Sequence, residues 1–132
     1  MAGDAEKEQN ARILVVEDNP DIREALVAIL EMKGYDAISA ENGRQALECL
    51  ADDEVFDLII LDLSMPVMNG RQFRNEQLKD PRIKHIPVVI VSALSDQVDV
   101  DADKIMIKPV DVDILLTTIT DILRTHKSGR PD

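Results

Sequence analysis

Three short runs, "ILVV" at 13–16, "LIIL" at 58–61 and "VVIV" at 88–91, are apolar at every position, and each ends against a polar or acidic residue. A strand without alternation has no solvent face, so it belongs in a parallel sheet covered by helices on both sides. The intervening segments supply those helices. In "NPDIREALVAILEMKG", Ile22, Ala25, Leu26, Ile29 and Leu30 fall at i, i+3, i+4, i+7 and i+8, one helical stripe. Asn19 suits the N-cap, Pro20 the first helical position and Gly34 the C-terminal stop.

The pattern then repeats. "YDAISA" predicts a brief strand, and "NGRQALECLAD" a helix with Ala46, Leu47 and Leu50 inward. "GRQFRNEQLKD" predicts a more polar helix closed by Asp80-Pro81. "KIMIK" predicts a last strand, and "DVDILLTTITDILRT" a helix with Leu115, Ile119, Ile122 and Leu123 inward, capped by Asp111. Five strands alternating with helices predict an α/β, doubly wound, flavodoxin-like parallel sheet of order 2-1-3-4-5. With 132 residues the chain holds one domain, expected over 12–125, with 1–11 and 126–132 as disordered or frayed tails.

The formal net charge of −11 repels phosphate backbones and anionic membrane surfaces, which argues against nucleic acid and membrane as partners. No apolar stretch approaches the ~18 residues of a span, and "MAGDAEKEQNAR" lacks a signal-peptide core. The lone Cys49 forms no intrachain disulfide and fits a cytoplasmic chain. His85 and His126 have no neighbours that suggest a metal site.

In such sheets the site lies beyond the carboxyl ends of the strands, at the switch in strand order. The first strand ends in Glu17 and Asp18, the third in Asp62, the fourth in Ser92 and the fifth in Lys108. Three clustered carboxylates repel unless a cation intervenes. An oxygen-only donor set suits Mg²⁺ (or Mn²⁺), and Lys108 adds a point charge that grips phosphate. An aspartate so placed is equipped to attack phosphorus and form an acyl phosphate. The Ser92 hydroxyl and the backbone N–H of Ala93 would help neutralise the equatorial oxygens.

The pieces "VVEDNPDIREAL", "AENGRQAL", "FDLIILDLSMPVMNG", "IPVVIVSA" and "IKPV", in this order, resemble the receiver domain of two-component response regulators across about residues 12–125. Asp62 stands 44 residues after Asp18, and Ser92 30 after Asp62, which also matches. The resemblance implies a phosphoacceptor at Asp62, fed by a histidine kinase or histidine phosphotransfer protein. It implies metal ligation by Asp18, Asp62 and the Ser64 carbonyl, with Glu17 assisting directly or through water. It makes Ser92 the switch hydroxyl and Lys108 the phosphate grip, with a cis bond to Pro109. Ser64 and Leu94 would help set the dephosphorylation rate. Such a protein is not an enzyme beyond self-catalysed phosphoryl transfer to its own aspartate and slow autodephosphorylation. It signals through an unnamed downstream protein, as a monomer or a weak phosphorylation-dependent dimer.

Two features depart from the family. Ile105 stands where receivers carry an aromatic residue, and the segment from Ser92 to Lys108 is short by roughly one to two helical turns. "ALSDQVDVDAD" is not amphipathic, and its valines and aspartates are poor helix formers. The helix between the fourth and fifth strands is therefore expected to be absent or a single turn, leaving an acidic, mobile loop.

These departures motivate an alternative, a receiver-fold adaptor that no longer switches on phosphorylation. Other readings fit less well. A calcium loop opening at Asp99 would need Gly where Lys104 stands and Glu where Val110 stands. A phosphatase of the haloacid dehalogenase type carries a second aspartate where Ser64 stands. A flavin carrier lacks support, because Tyr35, Phe56 and Phe73 are the only aromatic residues.

Overall fold

The computed structural model describes residues 11–51, 55–93 and 99–129. The strands are β1 (Arg12–Val16), β2 (Asp36–Ala40), β3 (Leu58–Asp62), β4 (Val88–Ser92) and β5 (Lys104–Ile107). The helices are α1 (Pro20–Met32), α2 (Gly43–Leu50), α3 (Gly70–Lys79) and α4 (Val112–Gly129). All pairings are parallel, and the order is β2-β1-β3-β4-β5, as the alternation predicts. Val16 is level with Leu61, Asp62 with Val91 and Ser92 with Ile107. The register therefore brings the chemistry-bearing strand ends to one rim.

Strand alternation divides the core in two. Leu14, Val16, Ile59, Leu61, Val88 and Ile90 face α2 and α3 around Phe73. Ile13, Val15, Leu58, Ile60, Val89 and Val91 meet Leu26 and Leu30 of α1 and Leu115 and Ile119 of α4. Each fully buried branched side chain contributes about 1.5–3 kcal/mol relative to exposure.

The expected caps form. Asn19 accepts from the backbone of Asp21 and Ile22, Pro20 begins α1, and Gly34 takes φ 89° after it. Beyond these, Asn69 and Gln72 build a reciprocal capping box on α3. Asp111 accepts from the Ile114 N–H (3.1 Å) at the start of α4.

The inward stripe of α1 departs from its expectation. Leu26 and Leu30 are buried and Val27 packs beside them, whereas Ile22 and Ala25 are exposed. The helix is rotated so that Arg23 reaches back to the carbonyls of Glu17 (3.0 Å) and Asp18 (3.3 Å). The C-terminal boundary also moves, because α4 continues past 125 to Gly129. His126 is held there by Ile122 O (3.2 Å) and Asp103 Oδ2 (3.4 Å).

Residues 99–103 are not helical. The rest of the expected acidic loop, 94–98 with Leu94, lies outside the described residues, as does most of the N-terminal tail. On edge strand β5, Met106 packs toward α4, while Ile105 and Ile107 alternate to the other face and remain 42% exposed. No helix among the described residues is long and apolar enough to cross a membrane.

Candidate functional site

Glu17 follows β1 directly, its N–H donating to Ala40 O (3.0 Å). Its side chain is only 3% exposed, and Oε2 accepts the Asn19 N–H at 3.1 Å. The N-cap residue of α1 thus orients one acid, and Arg23 braces the backbone of both. Sequence reasoning missed Arg23. Its signal was a cation one turn into a helix that follows two acids.

Asp62 closes β3 at 4% exposure, with Oδ1 accepting the Ser64 N–H at 3.3 Å. One carboxylate oxygen from each of Glu17, Asp18 and Asp62 lies within 4.8 Å of the others, and Asp18 opens the cluster to solvent. From β5, the Lys108 ammonium reaches Glu17 Oε1 at 3.0 Å and Asp62 Oδ2 at 3.5 Å. The Lys108-Pro109 bond is cis, as the resemblance implies, and the Lys108 N–H donates to Ser92 O at 2.8 Å. Ser92 is fully buried, and its Oγ is the only buried side-chain polar atom among the described residues with no hydrogen-bond partner. Ala93 follows at the same rim, half-buried.

The loop after Asp62 is locked from two sides. The Gly70 N–H donates to Leu63 O (3.0 Å), and the Gly43 N–H donates to Met68 O (2.8 Å). A Cβ on Gly70 would lie 2.5 Å from Asp62 O and 2.8 Å from Leu63 Cα. Only glycine lets α3 begin against the backbone of the central acid. Between these anchors Val67 takes φ 68°, a left-handed conformation unfavourable by about 1–2 kcal/mol for a residue with a Cβ.

Electrostatics follow from the burial. Desolvation first, and the charge of Glu17 second, push the Asp62 carboxyl up to about 7 against the opposing pull of Lys108 and the Ser64 N–H. Burial also works against the Lys108 ammonium. Hydrogen bonding to Glu17 and the charge of Asp62 outweigh it, so its pKa lies above the ordinary lysine value. The acids carry more negative charge than one ammonium balances. Hard oxygen donors open on one side fit a divalent cation that keeps part of its water.

Sheet order, acidic trio and opposed lysine define a receiver-type α/β signalling domain. The chain belongs to the response regulator receiver domain family of two-component systems, matching it over residues 13–120. It is similar to Protein PilH of Pseudomonas aeruginosa, 37% identical over 119 residues that cover 86% of this chain and 98% of that one. Among solved structures, it resembles the signal receiver domain of a signal transduction histidine kinase from Syntrophus aciditrophicus. That match has a TM-score of 0.84 at 33% identity, covering 92% of this chain and 95% of the other. It also resembles the response regulator protein TrrA from Thermotoga maritima, solved in complex with Mg²⁺–BeF. The TM-score there is 0.75 at 34% identity, over 85% of this chain and 98% of that one.

Proposed function

We propose that the protein is a phosphorylatable receiver that takes a phosphoryl group on Asp62 from a phosphohistidine of a kinase or phosphotransfer protein and signals through protein contacts. The observation that carries this reading is the Asp62 carboxylate at the centre of three acids, facing Lys108, beside a buried serine hydroxyl with nothing to bond. In the transfer, an Asp62 carboxylate oxygen forms a bond to phosphorus as the phosphorus–nitrogen bond breaks. The released imidazole keeps the electron pair and takes its proton from water.

Asp18, Asp62 and the Ser64 carbonyl would hold Mg²⁺, with Glu17 behind them. When bound, that ion supplies positive charge for the equatorial oxygens. Lys108 exchanges part of its contact with Glu17 for the incoming phosphoryl oxygens. Ser92 Oγ gains its first acceptor there, and the Ala93 N–H is positioned to donate beside it.

Acetyl phosphate or phosphoramidate with Mg²⁺ should add one phosphoryl group to the wild type and none to Asp62→Ala, read by intact mass. A wild type that stays unmodified would overturn the proposal and favour a non-switching adaptor.

A further inference from the structure

Lys108 hangs from an edge strand with little packing of its own. β5 is paired on one side only, and two of its four side chains are 42% exposed. Its position therefore depends on how its two ends are tied. At the far end, the Lys108 N–H is bonded to Ser92 O. At the near end, Asp103 pairs with Val88 twice, through its backbone N–H (3.0 Å) and through Oδ1 (2.9 Å).

The residues leading into that end have no helix to place them from 99 onward. Val100 and Ala102 pack on the Phe73 core, and their backbone is tied by Arg74 of α3, a buried cation whose Nε donates to Asp101 O at 3.0 Å while Nη1 donates to Gln77 Oε1 at 2.8 Å. Gln77 is itself anchored to the carbonyls of Ile83 (2.9 Å) and Ile86 (3.1 Å). The exposed Arg71–Asp99 pair (2.8 Å) lies alongside. A guanidinium in this environment loses hydration, and its acceptors must be fixed for it to stay. The arrangement is thus a rigid strut from α3 to the lead of β5.

We infer that Arg74 is a positioning residue for Lys108: by fixing the Asp101 carbonyl it sets the placement of β5 and hence the reach of the ammonium to Asp62. The inference rests on the reading of Asp62 as phosphoryl acceptor.

The test is a double-mutant cycle on the full chain, with the rate of phosphoryl uptake from phosphoramidate and Mg²⁺ as the readout. Arg74→Ala should slow uptake by about tenfold, yet add less than about twofold once Lys108 is already alanine. Urea unfolding verifies that each variant is folded. Should Arg74→Ala fail to fold, Arg74→Lys carries the same comparison, since an ammonium lacks the planar fork from which Nε and Nη1 donate separately to Asp101 O and Gln77 Oε1. An unchanged rate in the single variant, or independent effects that multiply in the double, would overturn the inference. A wild type that takes no phosphoryl group would instead sink the reading of Asp62.

Discussion

The Lys108 ammonium lies 3.0 Å from Glu17 Oε1, although β3 and β4 separate their strands in the sheet. The lysine crosses the whole rim to reach the acid of β1, and its 3.5 Å contact with Asp62 is the longer one. The cation is thus held more closely by Glu17 than by Asp62, the proposed phosphoryl acceptor. That arrangement leaves Asp62 underneutralised, and the consequences can be measured.

The first consequence is a stability slope with pH. The Asp62 carboxyl titrates near 7 in the folded protein, against 3.8 for the unreinforced group. Between those values this group binds more proton in the native state than in the unfolded one, so its contribution to the unfolding free energy falls as pH rises from about 4 to about 7. Without divalent ions, Asp62→Asn should be more stable than the wild type at pH 8 by on the order of 2 kcal/mol. The advantage should vanish near pH 4. Urea unfolding in EDTA at both pH values checks this, and equal slopes for the two proteins would contradict it.

Ser92→Ala should separate stability from signalling. The lost hydroxyl bonds nothing in the resting site, so its removal should leave stability unchanged or raise it by up to about 1 kcal/mol. The acyl phosphate, deprived of that donor, should form more slowly. Parallel melting curves and phosphoryl uptake measure both. A melting point well below the wild type would show that the hydroxyl already has a partner.

Gly70→Ala meets backbone rather than a flexible side chain, with Asp62 O and Leu63 Cα inside contact distance. Helix α3 must lift from the rim, and a loss of about 1–3 kcal/mol is expected, as for overpacked sites. Phosphoryl uptake should fall together with stability. Wild-type values for both would show that α3 can retreat freely.

Gln77→Leu fits the volume but strands the carbonyls of Ile83 and Ile86 and removes the acceptor of Arg74. Leaving such groups buried without partners costs about 1–3 kcal/mol each. A urea midpoint that hardly moves would mean that water replaces the amide.

The fully apolar strands, the Asn19 and Asp111 caps and the five strand-end residues are legible in the chain because each follows from a local rule: burial on two faces, an orphan N–H, or the switch-point rule. Arg74, Gln77 and Arg23 were not. A polar residue on a polar-looking helix reads as solvent-facing, and only the fold shows that Gln77 is completely buried beneath a connecting loop. The rotation of α1 was hidden for a related reason. The apolar stripe gives Ile22 and Arg23 no reason to trade places, whereas two backbone carbonyls at the strand end do. The extension of α4 to Gly129 brings His126 within 3.4 Å of Asp103, a residue 23 positions upstream that no local pattern links to it.

The dispersal of the rim over four strands also bears on biosynthesis. A nascent chain that has exposed β1 and β3 already owns its three acids, but the counter-charge lies at position 108 and arrives only with β5. The charge balance of the rim is thus a property of the whole sheet, because the ammonium that faces Glu17 and Asp62 comes from the residue after its last strand. On the proposed reading, a chain that stops before β5 has the phosphoryl acceptor but lacks the lysine that faces it.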